Sequence, residues 1–384
     1  MTTTLSCDVV IVGGGTAGCA AAVHLRQAGM RVVLLERDLC GGGASGVNFG
    51  GVRQQGRNPL ELALARRSRA IWGGINALLG EDTEFAATGH LKLARTDADM
   101  ADLEAYARSA GEHGLDLAII GRNAIRAEYP WLGPSIIGAS FSADDGQANP
   151  RVVAPAYARL ARKLGADVRE QATVTHARHT ETGFELEAGE LRVTAPQMIN
   201  AAGMGAGKIA AMFGETVPLA AMFPNMVVTE PMPYIVTRNM GVCGGDVYIR
   251  QIPRGNVIFG GGRGAGDWAE WRSRAKTEAT LRVLPKLRDI VPSLVSAQII
   301  RTWSGIDGET PDALPVIGFS ATTSGLLHAF GFSGAGFQLG PVVGEVLAEL
   351  AVQGQTSTAL DAFKIDRFAR LGSGVATNAR QFAG

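Results

Sequence analysis

Cysteine is scarce and scattered. Cys7, Cys19, Cys40 and Cys243 form no CxxC pair and have no histidine at zinc-finger distance, which excludes a disulfide framework and any zinc or iron-sulfur site built by this chain alone. Free thiols of a reducing compartment are what remains. Of the six histidines only His176 and His179 are close neighbours. They fall in a strand-and-turn stretch, 173–182, where exposed histidines are commonplace, so no metal site is expected. Charge is thin as well: Asp, Glu, Lys and Arg make up 19%, against a usual ~25%. Basic and acidic residues balance at 36 each, with no long run of either sign, which argues against a nucleic-acid arm or an acidic tail. Low charge with ample apolar content fits a large folded body with one surface covered by a partner. No stretch reaches the ~18 uninterrupted apolar residues of a membrane span. Even 217–228 is broken by Pro218, Pro224 and Asn225. The N-terminus lacks a basic segment, and the run Val9-Val10-Ile11-Val12 ends in glycines before it reaches signal-peptide length. The expectation is a cytoplasmic protein with no membrane span.

Glycine is what the chain has in excess, 51 of 384 residues, nearly twice the usual ~7%. It gathers in short clusters between apolar runs, unlike collagen or a linker. The apolar run 9–12 reads as a strand buried on both faces of a parallel sheet. Gly13-Gly14-Gly15-Thr16-Ala17-Gly18 follows and fits GxGxxG; then come an alanine-rich helix over 19–28, its stop at Gly29, and a second strand over 31–35 ending at Glu36. The first glycine permits the tight turn, the second lets backbone approach a pyrophosphate, and the third lets the helix pack closely on the strand. The helix start then receives the phosphate charge. Glu36 is placed to accept hydrogen bonds from a ribose hydroxyl, which disfavours a 2'-phosphate and hence NADP. These residues define a dinucleotide site and leave FAD and NAD both open.

Further glycine segments separate the two. Residues 41–55 form a second cluster directly after the second strand, where a simple NAD domain would soon enter an ordinary helix. Met198-Ile199-Asn200-Ala201-Ala202-Gly203 closes a short strand with small residues. Near the C-terminus a strand over 326–330 leads into 331–340, and Pro341 is expected in the first turn of a helix running through Leu350. A helix start aimed at a flavin stabilises the negative charge that reduction places near N1 and C2=O. An NAD site has no need of it.

With these residues in view the sequence resembles the FAD-dependent D-amino acid oxidase-like oxidoreductases, and looks closest to the beta subunits of sarcosine oxidase, hydroxyproline dehydrogenase and opine oxidase. The resemblance is carried by 8–38, the run 43–55, Asn200 to Gly203, Trp303-Ser304-Gly305 with Thr310-Pro311-Asp312, and 331–344. It implies an α/β fold: a Rossmann-like FAD-binding domain of the glutathione reductase type, with a second α+β substrate domain of mainly antiparallel sheet. The division that suits this fold gives 1–84, 145–214 and 305–384 to the FAD-binding domain. Residues 85–144 and 215–304, which lack those glycine turns and hold alternating segments such as 247–250 and 257–259, go to the substrate domain. Stretches rich in Ala, Leu and Arg, such as 60–79 and 100–112, read as helical packing faces.

The resemblance implies noncovalent FAD, since Cys243 lies in no matching tethering motif. The cofactor contacts it implies are Gly13, Gly15, Thr16, Ala17, Gly18, Glu36, Arg37, Ser45, Gly46, Asn48, Val174, Ala202, Gly203, Gly305, Gly334, Gly336, Phe337 and Gln338. The implied activity is oxidation of the C–N bond of a D-configured or secondary-amine amino acid, opine-like or hydroxyproline-like, by hydride transfer to flavin N5. The product imine hydrolyses in water. Arg53 is the first candidate for binding the substrate carboxylate and Arg57 the second, because a guanidinium grips a carboxylate bidentately. A structural salt bridge is the other reading of Arg53. Tyr248 resembles a pocket tyrosine that bonds the carboxylate or an opine arm, and reads equally as a core tyrosine. Gln338 stands where many sarcosine oxidase-like chains have lysine beside the flavin, so a catalytic place is expected for it too. No lysine occurs between Lys208 and Lys276, where the family's oxygen-activating lysine belongs. The resemblance further implies companion subunits holding FMN or an iron-sulfur centre, with an FMN at a subunit interface. A self-sufficient sarcosine or glycine oxidase-type enzyme producing hydrogen peroxide, or a flavin-holding electron-relay or assembly subunit, are the alternatives.

Overall fold

Two large sheets organise the chain, and the computed structural model describes residues 3–370 of it. Residues 1, 2 and 371–384, among them the end of the segment assigned to the FAD-binding domain, lie outside the described residues. The first sheet has six strands in the order Val316–Phe319, Leu326–Phe330, Gln197–Asn200, Val9–Val12, Val32–Leu35 and Asp167–Arg169. All pairs are parallel except the one made by Val316–Phe319. Strand side chains alternate between faces, which is why the central runs are apolar throughout. Val9, Ile11 and Leu34 pack on the helical side, whereas Val10, Val12, Val33 and Leu35 pack against Phe184 and Leu186. Those two come from a four-stranded sheet of Thr3–Ser6, Leu191–Ala195, Gly183–Ala188 and His176–Thr180 that covers the opposite face.

On the helical side Thr16–Gln27 and Gly336–Gln353 lie in backbone contact. A Cβ on Gly340 would overlap Thr16, and one on Gly344 would overlap Ala20. The two glycines, four apart, are what let both helix starts reach the same end of the sheet. Pro341 is therefore no helix start: it lies inside Gly336–Gln353. Lacking an N–H, it cannot donate to the carbonyl four residues back, but residues 337–344 are all buried and tertiary packing holds the helix together. The helix expected over 60–79 is divided. A 3-10 turn Pro59–Glu61, capped by Asn58, precedes Leu62–Gly73, and a break at Gly74 separates Ile75–Leu79. Adjacent Gly73 and Gly74 are the weakest helix formers short of proline, and the helix yields there.

The second sheet has eight strands, in the order Ile299–Ser304, Pro224–Pro231, Asn256–Arg263, Tyr248–Gln251, Asn239–Val242, His90–Ala94, Gly138–Ser142 and Ala118–Ile120. Only Asn239–Val242 and His90–Ala94 pair in parallel. Thr277–Ile290 covers one face through Val283, Leu287 and Ile290. All four cysteines are free and buried. Among the described residues no helix is long and apolar enough to cross a membrane, and no cluster of His, Cys, Asp and Glu could hold a metal ion.

Candidate active site

The strand ends of the first sheet and one face of the second enclose a single cavity of about 1260 Å³, above the ~300–1,000 Å³ of ordinary small-molecule pockets. Gly13 has φ +111° and a Cβ there would overlap the carbonyl of Ala201, while a Cβ on Gly18 would overlap the carbonyl oxygen of Gly13. These two glycines fix how the first helix leaves the sheet. Gly15, at the helix N-cap, has no side-chain cap. The first-turn N–H groups have no intrahelical partner, and only that of Thr16 is taken, by Ser45 Oγ at 2.9 Å. Ser45 accepts that bond and keeps its own hydroxyl proton to donate. The second helix start, at Gly336 and Phe337, also lacks a side-chain cap and lines the same cavity. Two uncapped helix starts on one cavity suit negative charge at two places.

Glu36 accepts the N–H groups of Gly14 (2.6 Å) and Asp38 (2.8 Å), which hold its carboxylate at the end of its strand beside the glycine turn. The Arg37 guanidinium lies 3.5 Å from the Trp271 ring centroid. Its Nη2 donates to Asp38 at 2.8 Å, and its Nη1 is buried without a partner. Thr16 Oγ1, on the cavity wall, is another buried orphan. Donors waiting beside glycine-lined space are what a dinucleotide would satisfy, and these residues fit FAD: Gly13 to Ala17 and Ser45 for the pyrophosphate, Glu36 for the ribose. Val174, Ala202, Gly203, Gly305 and Gly334 all line the cavity. Gly46 does not. It is buried behind the loop, where a Cβ would overlap the carbonyl oxygen of Gly41, so its contribution is packing. Asn48 lines the cavity, but its amide clasps its own loop, donating to Ala44 and Ser45 and accepting from Gly50.

The loop is tied to the second sheet by Trp303, whose Nε1–H donates to the carbonyl of Val47 at 2.8 Å. Trp303→Phe keeps the ring and removes that bond. The expected loss is about 1 kcal/mol, seen as a thermal midpoint lower by about 1 °C and a several-fold weaker FAD titration. An unchanged titration would show that the loop needs no tether.

Gln338 requires a correction. Its side chain is fully buried away from the cavity and donates from Nε2 to the carbonyl of Ala65 at 2.8 Å, while the main-chain carbonyl of Gln338 accepts from Ser68 Oγ and Trp72 Nε1. Starting the helix at Gly336 turns residue 338 toward Leu62–Gly73, so the amide packs two helices together. Tyr248, by contrast, faces the cavity in an edge-on contact with Phe49, ring centroids 4.8 Å apart, and among the described residues its hydroxyl meets only Met226 sulfur, at 3.4 Å. Burial raises its pKa further above the ordinary range, so the hydroxyl remains a donor. A Cβ on Gly260 would overlap this ring, which is why the neighbouring strand carries glycine there.

Arg53 and Arg57 both line the cavity. Arg53 spends one N–H on the carbonyl of Gln55, at 2.6 Å, and has no carboxylate in ion-pair range among the described residues. Burial, then neighbouring Arg57, lowers its guanidinium to about 10, still charged at neutral pH. Asp145, absent from the expectations above, orients this segment by accepting the N–H groups of Gln54 (2.8 Å) and Gln55 (3.0 Å). Trp271 and Asp307 also reach the cavity from distant segments that no local motif marks.

The chain matches the FAD dependent oxidoreductase family, DAO, over residues 8–350. It is 27% identical over 376 residues to the beta subunit of sarcosine oxidase from Rhizobium meliloti (strain 1021), covering 94% of this chain and 88% of that one. An opine oxidase subunit of Rhizobium meliloti is 26% identical over 321 residues, covering 80% and 84%. The solved L-proline dehydrogenase of P. horikoshii superposes with a TM-score of 0.89 at 27% identity, covering 96% of this chain and 99% of that one. A family match that spans both sheets, together with a cavity whose orphaned donors and glycine walls suit the dinucleotide, makes this chain a member of the FAD dependent oxidoreductase family, an FAD-dependent enzyme acting on amines or amino acids.

Proposed function

We propose that this enzyme oxidises the C–N bond of an amino acid that is D-configured or carries a secondary amine, opine-like or hydroxyproline-like, and passes the electrons to a companion protein of the same complex. The observation that carries the reading is Arg53, a half-buried guanidinium on the cavity wall with a single protein acceptor among the described residues. Such a cation calls for an anion, and a carboxylate matches its fork. FAD held there would supply a two-electron acceptor for the hydride equivalent on the carbon bearing the amine, leaving an imine for water to hydrolyse.

The chain's own task is positioning. Arg53 holds the carboxylate, with Arg57 reinforcing the positive field from the same loop. Tyr248 donates to the carboxylate or to the side arm of an opine, and Phe49 and Met226 wall the space around it. Transfer to a companion rests on two supports: the relatives named as subunits, and the absence of any lysine between Lys208 and Lys276. Anaerobic mixing with a panel of sarcosine, hydroxyproline, D-amino acids and opines is expected to bleach the visible flavin band with at least one of them. Oxygen uptake by the isolated chain should stay slow with the same compound. Persistent colour across the panel would remove the substrate class, and rapid oxygen uptake would remove the companion.

A further inference from the structure

Asp307 opens the short strand Asp307–Glu309, which pairs with Ala220–Met222 between the two sheets. Its carboxylate accepts the N–H of Gly308 at 2.9 Å and that of Gly334 at 2.8 Å. Gly334, with φ +89°, belongs to the loop entering the second helix start. Asp307 thus stands on the cavity wall beside that start, in the same cavity as Tyr248 and Arg53. The charged groups facing it are Glu309 on its own strand and Arg263 from Asn256–Arg263. Arg263 is already paired with Glu309 at 3.7 Å. The paired strand contributes only Ala220, Ala221 and Met222, and the 331–334 loop carries no ionisable side chain. Among the described residues no cation forms an ion pair with Asp307, so a half-buried carboxylate on the cavity wall faces a ligand space without a paired counter-ion.

Resting on the reading that an amino acid occupies this cavity, we infer that Asp307 is the residue that receives the substrate's amine, pairing with its ammonium form and taking one proton from it before oxidation. The ammonium N–H bond breaks, an O–H bond forms on the carboxyl group, and the amine keeps the electron pair that assists loss of the α-hydrogen. Charge balances, since an anion and a cation become two neutral groups, and no further reactant is needed. Arg53 and Asp307 then divide the substrate between them, one for its carboxylate and one for its nitrogen. Burial raises the Asp307 carboxyl to about 6, which keeps it ionised at neutral pH and basic enough to accept the proton.

The test uses the FAD-loaded enzyme and two probes that need no turnover, acetate and N,N,N-trimethylglycine, titrated by their perturbation of the flavin spectrum. Asp307→Asn preserves the shape and one acceptor for Gly334. It is expected to weaken trimethylglycine at least about tenfold while leaving acetate as tight or tighter. With any amino acid that bleaches the wild type, the variant's reduction rate at pH 7 should fall by about 100-fold or more. Its pH profile should lose the limb near 6 and rise only where the free amine itself deprotonates. If the variant does not hold FAD, the wild type alone decides: trimethylglycine binding must strengthen as pH rises through Asp307's titration while acetate binding does not. Equal probe affinities and an unshifted pH profile in Asp307→Asn, or pH-independent trimethylglycine binding in the wild type, would overturn the assignment. Failure of every amino acid to bleach the wild type would remove the proposed substrate class separately.

Discussion

Arg53→Met is expected to leave FAD bound and to raise the amino acid concentration for half-maximal bleaching by about 100- to 1,000-fold. Removing one partner of a buried, hydrogen-bonded charge pair costs about 2–5 kcal/mol, and each 1.4 kcal/mol is a factor of about ten. Arg53 lies at the upper end of that range, since among the described residues its guanidinium bonds only the carbonyl of Gln55, while the residue lines the cavity. Arg53→Lys restores the charge but not the planar fork, and should recover about one factor of ten. Stability moves the other way. An unpaired, half-buried cation opposes folding, so the ligand-free methionine variant should melt no lower than the wild type, and slightly higher where the chain packs around it. A structural salt-bridge residue would behave in reverse, losing melting temperature while substrate affinity stayed unchanged. Thermal melts and anaerobic titrations on one preparation separate the two.

The dinucleotide half of the site was legible because its signals are local. Strand, turn, helix and Glu36 follow within the residues 9–36, and each glycine meets the constraint its place in the motif implies: Gly13 against Ala201, Gly18 against Gly13. Arg53 was legible for the same reason, as it sits in a glycine-rich run. Its isolation was not, because Asp145 draws the Gln54 and Gln55 amides to itself from about ninety residues away. Gln338 shows how a small boundary error becomes a functional one. With the helix begun at Pro341, residue 338 belongs to a loop beside the ring. With it begun at Gly336, the same side chain is inside a helix interface, bonded to Ala65. Asp307 and Trp271 carry no motif at all. Each becomes part of the cavity through a contact with a remote loop, Gly334 in one case and Arg37 in the other, and side-chain patterns along one chain segment do not encode such pairings.

Gly13→Ala and Gly15→Ala should separate folding from cofactor binding. At Gly13 the backbone holds φ +111°, a region that L side chains rarely adopt, and the new methyl would overlap the carbonyl of Ala201. That carbonyl cannot retreat cheaply. Ala201 donates its N–H to Val12 at 2.8 Å, and Gln197–Asn200 is paired with Val9–Val12 along its length. Left-handed strain of about 1–2 kcal/mol and overpacking of about 1–3 kcal/mol act on one residue. A loss of about 4 kcal/mol, or roughly 5 °C in melting temperature, is expected, with no FAD retained. Gly15 has φ −72° and ψ 179°, ordinary for alanine, and a Cβ there meets only Ser45 Oγ at 3.0 Å. That hydroxyl ends a side chain that can rotate. Gly15→Ala should therefore fold and melt within a few degrees of the wild type. It should still bind FAD about tenfold or more weakly, because the methyl occupies the approach of a phosphate and displaces the hydroxyl that orients the Thr16 N–H. Melting curves with and without added FAD, joined to a flavin fluorescence titration, read both effects. Were the two variants to lose the same stability and the same affinity, the first glycine would hold no structural role distinct from that of the third residue of the turn.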